Sequence, residues 1–339
     1  MVDREAITLS LTSRASHTIV REPGVGSLTI GPPDAGGPPP DVIVGVDEPI
    51  DWSAFDPLAV PAGYPWPRSL RYQGNDIGFL AWSTRRPIER FEWTPVSAVA
   101  VDASRARIEH LTINVRTAPA EIVLPRPEAG WGNDFAAAGD LSLLSLALAA
   151  DGAGPVRLHF APRTHPAPGT EPVRLPQFAS LAAADSIAIS VAPLRQPFDC
   201  ASLLQFPRAR RVQLNGQLTG LAALAGLTEL TGLELRYCPD LSDLPPLATW
   251  PGLNHIIGWN IEETAGKRLR TEIRNLAETA GRSWEYASAT KLRRPEWFAT
   301  EYGLPFSGWP SSAARAAVKA YRAAETGIAQ SWFDAERDF

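Results

Sequence analysis

The chain has 339 residues, of which 45% are hydrophobic and 20% charged, with a formal net charge of −5. Such a composition suits a globular protein with a sizeable core, and the length suggests about two domains. The mildly acidic balance excludes the strongly basic class that neutralises phosphates, so nucleic acid is not an expected partner. The opening MVDREAITLSLTSRASHTIV has neither the charged-then-apolar order of a signal peptide nor a spanning run. A cytoplasmic location and no membrane partner are therefore expected. Lysine occurs only as Lys267, Lys291 and Lys319, and with abundant Ala, Pro and Arg this suggests GC-rich, bacterial coding.

Residues 5 to 20 read as one strand or a hairpin arm. The following REPGVGSLTIGPPDAGGPPP, residues 21 to 40, reads as a linker or extended surface loop. Its glycines lack the G-K-[ST] ending of a phosphate loop. Together residues 1–48 form an N-terminal strand and Pro/Gly-rich arm, which offers a route to self-association by adding to a neighbouring chain.

Residues 49–139 form an aromatic-rich β region. Trp52, Phe55, Tyr64, Trp66, Tyr72, Phe79, Trp82, Phe91 and Trp93 crowd its first half. They are expected in a core that caps the next region, with a ligand groove as the alternative. Val99-Ala100-Val101, Ile108 to Val115 and Glu121 to Leu124 read as strands, and Trp131-Gly132-Asn133-Asp134-Phe135 as a turn with an Asn/Asp cap.

Residues 140–260 carry a repeat. Around Leu141 to Leu148 the apolar run fits a strand or a short helix, and periodicity does not decide. Val156 to Phe160 reads as a strand. Leu175, Phe178, Leu181, Ala184 and Ile187 step by three into Ile187-Ala188-Ile189, and Val212-Gln213-Leu214 follows. Leu218, Leu221, Leu224, Leu227 and Leu230 then fall at every third residue. Leu241, Leu244, Leu247, Trp250 and Leu253 repeat that ladder 23 residues later. The anchors Leu158, Ile187, Val212, Leu233 and Ile256 lie 29, 25, 21 and 23 residues apart. An amphipathic helix over Leu218 to Leu230 would fit the ladder but not its echo. A return arm of 3₁₀ pieces fits both, because i and i+3 eclipse there and Pro245-Pro246 opposes an α-helix.

Between the ladders stands Leu230-x-x-Leu233-x-Leu235-x-x-Cys238-x-x-Leu241. This motif resembles the bacterial leucine-rich-repeat family, specifically over about 212–256 and more weakly over 140–260. The resemblance implies an α/β solenoid with a curved parallel β-sheet, each coil burying its leucines against the next. It also places Cys238 at the turn after the strand. Cys200 and Cys238 are expected as buried free thiols.

Residues 261–339 read as a C-terminal α-helical cap. Asn260-Ile261-Glu262-Glu263 resembles a capping box. Ala265, Leu269, Ile273, Leu276 and Ala280 mark one helical face, ended by Gly281. A second helix is expected from about Pro295, carrying Trp297 and Phe298, and a third from Ser312 to about Ala329. Trp284, Trp297, Trp309 and Trp332 would supply much of the packing.

No catalytic set emerges. There is no G-x-S-x-G and no H-E-x-x-H among the five histidines His17, His110, His159, His165 and His255. His159 and His165 lack a third ligand that the sequence identifies, so no metal and no cofactor are expected. Cys238 beside His255 could be a nucleophile, but its repeat position favours burial, which makes a thiol inert. Stacking of the strands would align outward residues in three columns. The central one is His159, Ala188, Gln213, Glu234 and Ile257; one flank is Arg157, Ser186, Arg211, Gly232 and His255. The other flank is Ala161, Ser190, Asn215, Arg236 and Trp259, with Thr112 and Asn114 extending the surface. The resemblance implies a non-catalytic scaffold that binds a protein or peptide on this concave face. Arg157, His159, Gln213, Asn215, Glu234, Arg236, His255 and Trp259 are the binding candidates, since Arg and Trp are enriched at binding hot spots. One rival is an enzyme, or an enzyme accessory, acting on a peptide where the repeat meets the aromatic region, with a His–carboxylate pair near Asp134, His159 or His255. The other is a structural assembly subunit.

Overall fold

The computed structural model describes residues 4–22, 24–33, 39–60, 62–125, 134–149, 157–162, 171–192 and 196–301, with short pieces between 312 and 324. The chain opens with an antiparallel hairpin, β1 (Glu5–Leu9) and β2 (His17–Arg21). There follow β3 (Ser27–Gly31), β4 (Val42–Ile43), β5 (Ser69–Gln73), helix α1 (Gly78–Arg85), β6 (Ile88–Thr94), β7 (Val99–Asp102), β8 (Ile108–Val115) and β9 (Ala120–Val123). Then come β10 (Asp134–Gly139), β11 (Leu144–Ala147), β12 (Arg157–Pro162), β13 (Ser186–Ser190), β14 (Phe198–Asp199), β15 (Arg211–Asn215) and β16 (Leu218–Thr219). The chain continues with β17 (Gly232–Arg236), β18 (His255–Trp259), α2 (Glu263–Thr279), β19 (Tyr286–Thr290) and α3 (Pro295–Glu301).

Twelve strands form one open sheet in the order β4-β3-β5-β6-β8-β10-β12-β13-β15-β17-β18-β19, every pair parallel. The expected α/β class with a parallel sheet is therefore present. Alternation decides which face is buried: Leu233 and Leu235 point to the core, Glu234 and Arg236 away from it. In register, the core rows run Leu111, Phe135, Leu158, Ile187, Val212, Leu233, Ile256 and Ile113, Ala137, Phe160, Ile189, Leu214, Leu235.

Between these strands the chain returns through short arms. The period-three leucines fall on them as expected: Leu221, Leu224, Leu227 and Leu230 are all buried, and 3₁₀ turns cover Cys200–Gln205, Leu221–Gly226 and Leu247–Thr249. The arms also pair with one another, through the parallel sets β7-β9-β11 and β14-β16. The expected strands at Val99 to Val101 and Glu121 to Leu124 are present as β7 and β9, and they belong to this arm layer. Left-handed residues close the strands at equivalent positions: Gly139, Gly216, Tyr237, Asn260 and Lys291. At Gly216 a Cβ would lie 2.0 Å from the carbonyl oxygen of Val191, so only glycine fits.

Of the aromatic residues expected in a core, all but the exposed Tyr64 are buried. Trp52 packs edge-on against Tyr72 and Phe79 and stacks on Trp82, with ring centroids 5.4, 5.9 and 5.9 Å apart. Each indole finds an acceptor: Trp52 donates to Asp76 Oδ1 and Trp82 to Asp56 Oδ1, both at 2.7 Å. Arg86 is buried beside them and donates to the carbonyls of Phe55, Leu58 and Trp66.

Several expectations need correction. Residues 21–40 hold β3, an integral strand whose Leu28 and Ile30 are buried. Residues 5 to 21 take the hairpin form, one of the two expected, and it contributes Leu9 and Ile19 to the core. The sheet crosses the expected boundaries without a break: β10 pairs with β12 across 139/140, and β18 with β19 across 260/261. The stretch 261–339 thus contains a strand as well as helices. The N-cap of α2 is Glu262, whose carboxylate accepts from Thr264 N and Ala265 N at 2.6 and 2.8 Å. Asn260 is instead left-handed and accepts from Arg293 Nε at 2.8 Å. Ala265 and Leu269 are buried and Gly281 follows the helix with φ +62°, as expected, but Ala280 is exposed. The third expected helix, with Trp309 and Trp332, lies largely outside the described residues.

Candidate functional site

The outward rows of the sheet assemble the candidate residues. Arg157, Ser186, Arg211, Gly232 and His255 are direct neighbours on successive strands, continued by Asp134 on one side and Tyr286 on the other. His159, Ala188, Gln213, Glu234 and Ile257 form the next row, and Ser190, Asn215, Arg236 and Trp259 the third. Adjacent members stand about 4.8 Å apart, the strand spacing of a sheet. All eight binding candidates therefore share one face. Thr112 and Asn114 lie on that face through β8.

The row structure sets the electrostatics. Glu234 is the hub: it accepts from Arg236 at 2.9 and 3.2 Å, and His255 Nε2 lies 3.8 Å from its other oxygen. Arg157 stands 3.6 Å from Asp134, which also faces His110 Nδ1 at 3.4 Å. Trp259 is half-buried and packs edge-on against Tyr237, 5.1 Å between centroids, and His255 lies against Tyr286 at 5.6 Å. Around Gly232 the face hollows into a cavity of about 330 Å³.

His159 Nε2 meets Ser190 Oγ at 2.8 Å. Burial pushes the imidazole below its ordinary pKa. Among the described residues no carboxylate lies within 4.0 Å of it, so the orienting third group of a nucleophilic triad is missing. A depressed folded pKa has a consequence for stability. Below about pH 6.5 the unfolded chain takes up a proton at this position that the folded chain refuses, so this contribution to stability rises with pH. Wild type is expected to lose stability between about pH 7 and about pH 5, and His159→Gln to lose less. Urea unfolding at both pH values checks this; parallel losses would contradict it.

The His–carboxylate pairs expected of an enzyme are His110–Asp134 and His255–Glu234, both on the half-exposed polar face. Cys238 is buried, with Sγ 3.2 Å from the carbonyl oxygen of Arg236, and desolvation pushes its thiol up to about 12. Cys200 is likewise buried and shifted upward by burial. Both are free thiols, and a thiol held protonated is a poor nucleophile. Among the described residues no three His, Cys, Asp or Glu side chains could share a metal ion. His165 and Trp131-Gly132-Asn133 lie outside the described residues.

The residues that precede the outward row were not foreseen from the sequence. Asp185, Arg210, Thr231, Asn254 and Glu285 also line the cavity at Gly232. Their backbones form a ladder: Asp185 O accepts from Arg210 N and Arg211 N, Arg210 O from Thr231 N and Gly232 N, and Thr231 O from Asn254 N and His255 N. The available signal was their constant position, one residue before each strand. Among the described residues no helix is long and apolar enough to cross a membrane. Comparison with family models, with curated proteins and with solved structures gave no match to this chain.

Proposed function

We propose that the chain is a leucine-rich-repeat-like solenoid of the bacterial cytoplasm that acts as a non-catalytic scaffold, binding a protein or an extended peptide on the polar face of its sheet. The observation that carries this reading is the register. It gathers Arg157, Arg211, Arg236, His255 and Trp259 on one face across five successive strands, β12 to β18. Guanidinium and indole groups offer directional hydrogen bonds and large contact area, the chemistry enriched at binding hot spots. The reading is further supported by how little of this chemistry the core needs, since the leucines pack without it.

Arg236→Ala is the informative variant. Its guanidinium is about one-third exposed and pairs with Glu234, so the substitution should cost stability only about 0.2–1 kcal/mol. If the face binds, it should weaken binding by more than about 1 kcal/mol. Trp259→Ala should weaken binding similarly while costing more stability, because it also removes the contact with Tyr237. The test is a pull-down from the native host, identification of the partner by mass spectrometry, and titration of that partner against each variant. Unchanged affinity in Arg236→Ala, Gln213→Ala and Glu234→Ala would place the partner elsewhere.

A further inference from the structure

Gly232 interrupts a row of side chains without any demand from the backbone. A Cβ added there would meet Arg211 Cγ at 3.4 Å and His255 Cβ at 3.8 Å, both ordinary contacts. Gly258 on the next strand is different: its Cβ would fall 2.7 Å from Ile261 Cδ1. Glycine inside a strand sacrifices stability, and it often marks a place where a ligand or another backbone comes close. The gap at Gly232 opens the cavity of about 330 Å³, with Arg157, Arg210, Arg211 and His255 among its walls.

The cations around the gap are largely uncommitted. Among the described residues, neither Arg210 nor Arg211 has an ion-pair partner within 4.0 Å, and Arg157 has only Asp134 at 3.6 Å. A guanidinium presents five donors in a planar fork that matches a carboxylate or a phosphate. Asp185 and Glu285 stand on the same walls, so the cavity is not a uniformly basic patch. It suits one anion at a fixed position better than a run of them. A second hollow of about 350 Å³ continues from Gly232 to Gln213, Glu234 and Arg236, along the strand direction.

We propose that the notch at Gly232 receives a single anionic side chain, carboxylate or phosphorylated, from a peptide lying across the polar face. This rests on the peptide-binding reading of that face and names the chemistry it selects.

A random peptide library displayed on phage, selected on the full chain, tests the proposal. Enriched peptides are expected to share one acidic position, and a Gln replacement there should weaken the synthetic peptide about tenfold or more. Gly232→Val, which fills the notch, and Arg211→Ala, which removes an exposed side chain, should each cause a comparable loss. Gly232→Val should melt at or above the wild-type temperature. A phosphoserine replacement at the acidic position separates the sources: tighter binding assigns a phosphorylated partner, weaker binding a carboxylate. Peptides that bind Arg211→Ala as they bind wild type, yet lose affinity for Arg236→Ala, would overturn the notch and leave the polar face standing. No enrichment, or peptides indifferent to all three variants, would overturn both.

Discussion

Leu235→Ala is expected to lower stability by about 2–5 kcal/mol, the range for leucines truncated in a packed core. Leu235 has 0% exposure and sits between Leu214 and Gly258 in the inner row of the sheet. Gly258 has no side chain that could swing into the space, so truncation should leave a cavity and not a collapsed site. Leu233 occupies the same face two residues earlier, also at 0% exposure, and its truncation should fall in the same range. Urea unfolding measures the effect as a lower midpoint with an unchanged slope. A loss below about 0.5 kcal/mol, the size of a surface effect, would show that these leucines do not carry the core.

Arg86→Met should cost about 3 kcal/mol or more. Arg86 is 8% exposed, and its guanidinium donates to the carbonyl oxygens of Phe55, Leu58 and Trp66, 20 to 31 residues upstream. It also lies over the Trp82 ring, 5.3 Å from the centroid. Burial lowers the pKa of this side chain, which records the cost of holding the charge there. Methionine keeps the approximate volume but supplies no donor. Phe55 O and Leu58 O keep their backbone donors, Leu58 N and Trp66 N, but among the described residues Trp66 O is left without a partner, at a cost of about 1–3 kcal/mol, and two further charge-assisted bonds are lost, which together exceed the value of any exposed ion pair. Arg86→Lys should recover part of the loss, because an ammonium retains donors and charge but cannot span three acceptors with a planar fork. Equal stability of Arg86→Met and wild type would mean that the segment 55–66 is held by its apolar contacts alone.

The repeat was legible because two independent periods coincide. The three-residue step of Leu218 to Leu230 specifies the arm, and its echo 23 residues later specifies the return to the sheet. The alternation in Leu233-Glu234-Leu235-Arg236 then sorted core from face, so the row of Arg157, Arg211 and His255 followed from spacing alone. Strand β19 escaped because its inward positions are Ala287 and Ala289, which carry little hydrophobic signal, and because a full helix precedes it. Strand β3 escaped because its five residues lie inside a Gly/Pro-rich stretch. Arg86 has no local signature, since its acceptors are backbone carbonyls brought to it by the fold. The notch was invisible for a related reason: it is made by a missing side chain at Gly232 and by Arg210 and Glu285 just outside the strands. The cap of α2 went to Glu262 and not Asn260 because Asn260 fills the left-handed position that Gly216, Tyr237 and Lys291 fill after β15, β17 and β19.

Hydroxyl-radical footprinting of the full chain, alone and saturated with the partner recovered from the native host, tests the binding face most directly. Trp259 with its neighbour Tyr237 at the C-terminal end of β18, and His255 with Tyr286 at its N-terminal end, are oxidisable reporters of that face. Tyr64, 61% exposed and distant in sequence, is the internal control. The expected result is protection of Trp259, Tyr237, His255 and Tyr286 with Tyr64 unchanged. Protection confined to Tyr64, with the four reporters on the sheet oxidised as in the free protein, would contradict it.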